Sequence, residues 1–226
     1  MGFEGCFVTG TDTGVGKTLV SAALLYTLAR HHARVVGMKP VAAGLVQQGG
    51  DWVAEDALAL RAASSVLVPP ALDNPVMLPE PLSPHLAAAR AGRHVGVAEL
   101  VASHCELQRH ADVVLVEGAG GWRVPLNDSE TLADLAVALA LPVVLVVGMR
   151  LGCLNHALLT AEAIRGDGLT MAGWVANVID PAMLCLDENI ETLCQRLDAP
   201  LLGVAPWQAT APDPRSLSLT LPKDWH

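Results

Sequence analysis

Lysine, threonine and glycine stand together in VTGTDTGVGKT, residues 8–18. Glycines in such a stretch let backbone N–H groups turn inward towards phosphate oxygens. In a phosphate-binding loop Lys17 can reach the β- and γ-phosphates of a nucleotide and the Thr18 hydroxyl can ligate Mg2+; a glycine-rich turn with a chance lysine is the alternative. A helix beginning at this point adds partial positive charge from its N-terminus. The spacing departs from the common loop, Gly-x-x-x-x-Gly-Lys-Ser/Thr. That pattern puts its first glycine at position 11, where this chain has Thr11, and the glycine is Gly10.

Three further charged residues are candidates to act with this loop. Glu117 ends the apolar run 113–116, where a phosphate-loop protein holds a second carboxylate for Mg2+. A lone capping or ion-paired glutamate is the alternative. Asp56 opens a helix after a glycine-rich loop, and N-capping or dipole compensation accounts for it equally well. Lys39, in GMKPV, follows an apolar strand, and a cation there lies near a transferring phosphoryl group. A surface lysine at a strand end is the alternative. The chain holds three lysines, Lys17, Lys39 and Lys223, against eleven arginines. Arginine does not replace lysine where a compact point charge must enter a crowded site. Lys17 and Lys39, both following strands, therefore stand out.

Such residues need a scaffold, and the hydrophobic pattern supplies one. Strands are predicted at 6–10, 34–41, 112–118, 142–148, 171–179 and 200–207. Helices are predicted at 17–32, 54–63, 96–111, 131–140, 153–168 and 183–197. The proline-rich stretch 69–86 reads as a long irregular connection. Strands apolar on both faces and separated by helices predict an α/β fold. A mostly parallel sheet of about seven strands, with helices on both faces, is expected to form a single domain over 1–226. Ligands of such folds bind outside the carboxyl ends of the strands. That marks residues 10–18, 39–44, 117–121, 148–155, 177–180 and 206–213 as site candidates.

Composition narrows the chemistry. The 226 residues are 52% hydrophobic and 16% charged, which suits a packed core. The apolar runs are strand-length, below the roughly 20 residues of a membrane span. The start of the chain has no basic, apolar leader, so a cytoplasmic protein is expected. A net charge of −9 without any Lys/Arg run argues against nucleic acid or membrane partners. Five scattered cysteines without C-x-x-C spacing suggest neither disulfides nor a zinc site.

Residues 10–18 fit throughout the G-T-D-T-x-V-G-K-T loop of the dethiobiotin synthetases. The chain resembles that family in further segments, in the same order. They are KPVAAG at 39–44, DALAL at 56–60, EPLSPHLAA at 80–88, VEGAGGW at 116–122, residues 142–164, GWVAN at 173–177 and APLLGVAPW at 199–207. The resemblance implies a P-loop ligase of biotin synthesis. Such an enzyme joins CO2 across the two amines of 7,8-diaminononanoate, with ATP as co-substrate and Mg2+ as the metal. Carried over by position, it gives Lys39, Lys17 and Thr13 catalytic roles. It gives ATP contacts to Thr13, Gly14, Val15, Gly16, Lys17, Thr18, Asp56, Glu117, Gly118, Ala119, Gly120, Asn177, Pro206, Trp207, Gln208 and Asp213. Thr18, Asp56 and Glu117 match the family's Mg2+ set, which favours a site role for Asp56 over capping. Lys39, Ala43, Pro84, Leu151, Gly152, Cys153, Leu154 and Asn155 match substrate positions. The resemblance also implies a homodimer with the substrate site at the subunit interface.

Two positions depart from the family: Ala43, where Ser or Thr is common, and Asn189, where the family has Tyr. Other P-loop readings fit less well. Amide ligases of cobalamin synthesis carry an additional glutaminase domain. Partition and division ATPases place a lysine early in the loop, where this chain has Thr11 and Asp12. A simple nucleoside kinase leaves Lys39 without a task.

Overall fold

Apolar residues on both sides of a strand force cover on both sides of the sheet. The computed structural model describes residues 2–210 and 212–226. In chain order the elements begin with β1 (Gly5–Gly10), α1 (Lys17–Leu28), β2 (Val35–Met38), β3 (Val41–Ala43), β4 (Val46–Gln48) and β5 (Asp51–Val53). There follow α2 (Glu55–Ala63), α3 (Pro70–Asp73), β6 (Val76–Leu78), α4 (Pro84–Arg90), α5 (Val97–Leu107) and β7 (Val113–Glu117). The chain continues through α6 (Leu132–Leu139), β8 (Val143–Met149), α7 (Cys153–Gly166), β9 (Met171–Val178), α8 (Leu186–Arg196) and β10 (Leu201–Ala205).

Six strands form the central sheet, all parallel, in the order β10-β9-β8-β1-β7-β2. Alternation divides their side chains between two cores. Val113, Leu115, Val144 and Val146 pack with α1 and α2. Val114, Val116, Leu145 and Val147 pack with residues of α5, α6 and α7. Among the described residues, no helix is long and apolar enough to cross a membrane.

The central sheet has six strands where about seven were expected. The predicted strand 34–41 breaks after Met38. Pro40 has no N–H to continue a ladder. The stretch 69–86 is not irregular throughout. It holds α3, β6 and the start of α4, and β6 pairs in parallel with β3. Its prolines and the brevity of each piece hide the periodicity. Residues 46–53 form an exposed antiparallel hairpin across Gly49 and Gly50, both at positive φ. That Gly-Gly pair is a recognised hairpin signal.

Gly37 seats the helices on the edge strand. A Cβ there would stand 2.8 Å from Leu25 Cδ1 in α1 and 2.9 Å from Leu60 Cβ in α2. Since α2 also carries Asp56, this contact helps to set the height of that carboxylate. We predict that Gly37→Val destabilises the fold by about 1–3 kcal/mol through overpacking. The measurement is the urea midpoint, and a wild-type midpoint would show that α2 does not press on β2 there.

Candidate active site

The residue order of the sheet gathers the chemistry at one end. β1 lies between β7 and β8, and β7 lies between β1 and β2. Val8 is level with Glu117, and Met38 with Val116. Lys39 therefore emerges beside Glu117, and the glycine loop after β1 arches over the same spot.

The loop is shaped by specific contacts. Gly14 and Gly16 have φ of 73° and 89°, in the left-handed region that glycine tolerates. A Cβ on Gly16 would stand 2.1 Å from Asn177 Nδ2. The buried Asn177 donates that amide to the Val15 carbonyl at 2.8 Å. Lys17 opens α1, and its ammonium donates to the carbonyls of Gly120 (2.7 Å) and Asp12 (3.1 Å). The extra residue has a task. The Thr11 hydroxyl accepts the Gly148 N–H at 3.4 Å. One Asp12 oxygen accepts the Thr13 N–H at 2.7 Å, and the other pairs with Arg150 at 2.6 Å. Thr11 and Asp12 thus fasten the loop to the end of β8. Sequence reasoning missed Arg150, whose one signal is its place directly before LGCLNH.

Lys39 and Glu117 form the centre. Their side chains are 3% and 0% exposed, and Lys39 Nζ lies 2.7 Å from Glu117 Oε1. The same ammonium reaches Asp56 Oδ2 at 2.8 Å and donates to the Gly118 carbonyl at 3.0 Å. The Thr18 hydroxyl donates to Glu117 Oε1 at 2.9 Å. Asp56 makes no capping bond, for the N-cap of α2 is Ala54, so its role as an ion-pair partner prevails over capping. Burial opposes the charge on Lys39, but Glu117 and Asp56 outweigh it and hold the ammonium above the usual lysine range. Burial likewise opposes ionisation of Asp56, and Lys39 overrides it and keeps that carboxyl below the usual range. Burial, and then the charge on Lys39, bring Lys17 down to about 8.

The buried Glu117 Oε2 has no hydrogen-bond partner. With the Thr18 hydroxyl and the half-exposed Asp56 carboxylate, it offers hard oxygen donors to a cation. Mg2+ is commonly held by one or two carboxylates and completed by substrate phosphates, so the donor set fits it. The glycine segment after Glu117 is also anchored. A Cβ on Gly118 would press on the Phe7 ring at 3.2 Å. Ala119 and Gly120 (φ 64°) follow, and Trp122 Nε1 donates to Asp167 at 2.7 Å.

Among the described residues, the remaining candidates make no hydrogen bond or ion pair to this centre. Ala43 ends β3, on which α4 packs, and Pro84 is the buried first residue of α4. Leu151 is 95% exposed, and Gly152, at φ 96°, caps α7. The Cys153 N–H donates to the Arg150 carbonyl at 3.0 Å. That leaves Leu154 and Asn155 as the first-turn donors able to meet an anion. Ala205 is level with Asn177, so Pro206, Trp207 and Gln208 follow beside it, all exposed. Asp213 accepts the Arg215 N–H at 2.9 Å and caps a short turn. Ala211, within the 206–213 segment, lies outside the described residues. Asn189 donates its amide to the Cys185 carbonyl at 2.7 Å.

Lys17 gives a pH signature. In the free protein it loses its proton as pH rises through about 8, and an anionic phosphate favours the charged form. ATP binding above about pH 8 is predicted to take up a proton, and affinity is predicted to fall as pH rises through that value. Calorimetry in buffers of different ionisation enthalpy measures this uptake, and none at pH 9 would refute it. Gly16→Ala, which meets both the positive φ and Asn177, is expected to abolish nucleotide binding in the same titration.

A family model described as an AAA domain matches residues 4–215. The ATP-dependent dethiobiotin synthetase BioD of Aromatoleum aromaticum is 56% identical over 217 residues, 95% of either chain. Among solved structures, the MinC:MinD cell division protein complex of Aquifex aeolicus matches with a TM-score of 0.54 at 18% identity, covering 91% of this chain and 82% of that one. The signal recognition particle receptor FtsY of Elizabethkingia anophelis matches with a TM-score of 0.53 at 15% identity, covering 98% and 63%. At these identities the structures bear on the fold alone. The near-full-length relative bears on the family, and the chain belongs to the ATP-dependent dethiobiotin synthetases.

Proposed function

We propose that this site carboxylates 7,8-diaminononanoate with CO2 and closes the ring to dethiobiotin, releasing ADP and phosphate, within one ligase unit over residues 1–226. The observation that carries the mechanism is a second buried lysine, Lys39, set beside Glu117 and close to the phosphate loop. An amine of the substrate captures CO2 as a carbamate. A carbamate resists attack because it would have to expel oxide. Transfer of the γ-phosphoryl group to it gives a carbamic–phosphoric anhydride. The second amine then attacks the carbonyl, and phosphate leaves. Carbamate, triphosphate and the transition state bring concentrated negative charge together. Lys17 cradles the phosphates, and Lys39 bridges the γ-phosphate and the carbamate by preorganised electrostatics. Thr18, Asp56 and Glu117 would hold Mg2+, which when bound neutralises phosphate charge. Thr13 contacts the phosphates as a catalytic residue, Gly14, Val15 and Gly16 wrap them with backbone N–H groups, and Gly118, Ala119 and Gly120 line the loop's far side. Asn177, Pro206, Trp207, Gln208 and Asp213 surround the adenine. Ala43, Pro84 and the 151–155 turn receive the diamine and its carboxylate, with a second copy of the chain completing that end as a homodimer. A cytoplasmic location suits this reading.

Incubation with ATP, Mg2+, labelled bicarbonate and diaminononanoate is expected to place label in an acid-stable cyclic urea. ATP cleavage that does not depend on the diamine would refute the reading. Lys39→Ala and Lys39→Arg are expected to lower diamine-dependent phosphate release about a hundredfold or more, the scale of a lost transition-state contact. Wild-type turnover in both variants would remove Lys39 from the chemistry.

A further inference from the structure

Lys39 stands in an exposed place architecturally, although it is buried. β2 is an edge strand and ends at Met38. The main chain of Lys39 therefore leaves the central ladder at the residue whose ammonium must be aimed. Something outside the sheet has to hold it, and the proline-rich segment does so. The Lys39 N–H donates to the Asp73 carbonyl at 2.7 Å. The Lys39 carbonyl accepts the Asn74 side-chain amide, also at 2.7 Å. The Val76 N–H then donates to the Pro40 carbonyl at 3.2 Å and leads into the β3–β6 pair.

Asn74 is 3% exposed, and its amide also approaches the Val76 carbonyl at 3.4 Å. A buried amide costs stability unless it is bonded, and this one is bonded to Lys39. Asp73 is fixed in turn. Its carboxylate takes a bidentate pair from Arg61, at 2.7 and 2.5 Å. Arg61 lies on α2, the helix that carries Asp56. So α2 holds Lys39 at both ends, through Asp56 at the ammonium and through Arg61 and Asp73 at the main chain. We propose that Asn74, seated by the Asp73–Arg61 pair, is a positioning residue that locks the backbone of Lys39 and so aims its ammonium at the transferring phosphoryl group. This rests on the reading of Lys39 given above.

Asn74→Ala and Asn74→Asp in the full chain test it. The Asp variant keeps the shape but turns a carboxylate towards the Lys39 carbonyl. Diamine-dependent kcat is expected to fall about ten- to a hundredfold, the cost of misplacing a reacting group by about an ångström. ATP affinity, measured without diamine, is expected to hold within about twofold, because a transition-state contact and not ground-state binding is lost. Lysine-selective 15N labelling gives only three ammonium groups to follow. The Lys39 signal is expected to move in both variants, while those of Lys17 and Lys223 stay. Arg61→Lys, which loses the bidentate fork, is expected to show the same pattern more weakly and serves if Asn74 variants fail to fold. Wild-type kcat with an unmoved Lys39 signal would overturn the proposal. So would equal losses of kcat and ATP affinity, which mark a merely structural residue. If the wild-type chain shows no diamine-dependent turnover, the functional reading fails, and the Lys39 signal alone still decides whether Asn74 sets its position.

Discussion

A buried ammonium against a buried carboxylate is the constraint around which the rest is arranged. Lys39 and Glu117 are both shut away from water and meet at 2.7 Å. Neither charge is tolerable there alone. Removing one partner of such a pair typically costs about 3–5 kcal/mol, because the other is left uncompensated. An isolated pair would still be poorly solvated. Asp56, the Gly118 carbonyl and the Thr18 hydroxyl supply the missing polar contacts. Such a pair adds little net stability over apolar residues of the same size, but it holds a positive charge in a fixed place.

That requirement explains features scattered along the chain. The strand order places Glu117 between the glycine loop and the edge strand, so one carboxylate can face both lysines. Gly118 and Gly120 allow the chain to turn back so that its carbonyls meet Lys39 and Lys17. The Thr11 and Asp12 contacts fasten the loop to β8. The fold is shared with cell-division and signal-recognition proteins at under 20% identity. A fold shared at that level leaves function to the side chains it carries.

Much of this was legible in sequence, and the reasons differ by residue. Loop 10–18 is local, and its glycines announce the backbone it needs. Glu117 stands out as a charge ending an apolar run, and Lys39 as a lysine kept in an arginine-rich chain. Asp56 was ambiguous, since a helix-opening acid is a common cap. In the structure it makes no capping bond and pairs with Lys39 at 2.8 Å. Asn74, Asp73 and Arg150 were not legible. Each acts through a contact made across a turn or between elements, and none has a periodic or motif signal. Prolines at 69, 70, 75, 79, 81 and 84 masked the short strand and helices among them.

The distances along the chain have a last consequence. Lys39 and Glu117 are 78 residues apart, Lys17 and Gly120 are 103, and Val15 and Asn177 are 162. Parallel strands cannot be joined by tight hairpins, so each of these contacts waits on a crossover. Closing such long loops makes folding slow relative to helical chains. A chain still emerging from the ribosome has its glycine loop early but lacks Asn177 until most of the sheet has been made. Nucleotide binding therefore reports completed topology, and ATP would stabilise only the finished fold, by mass action.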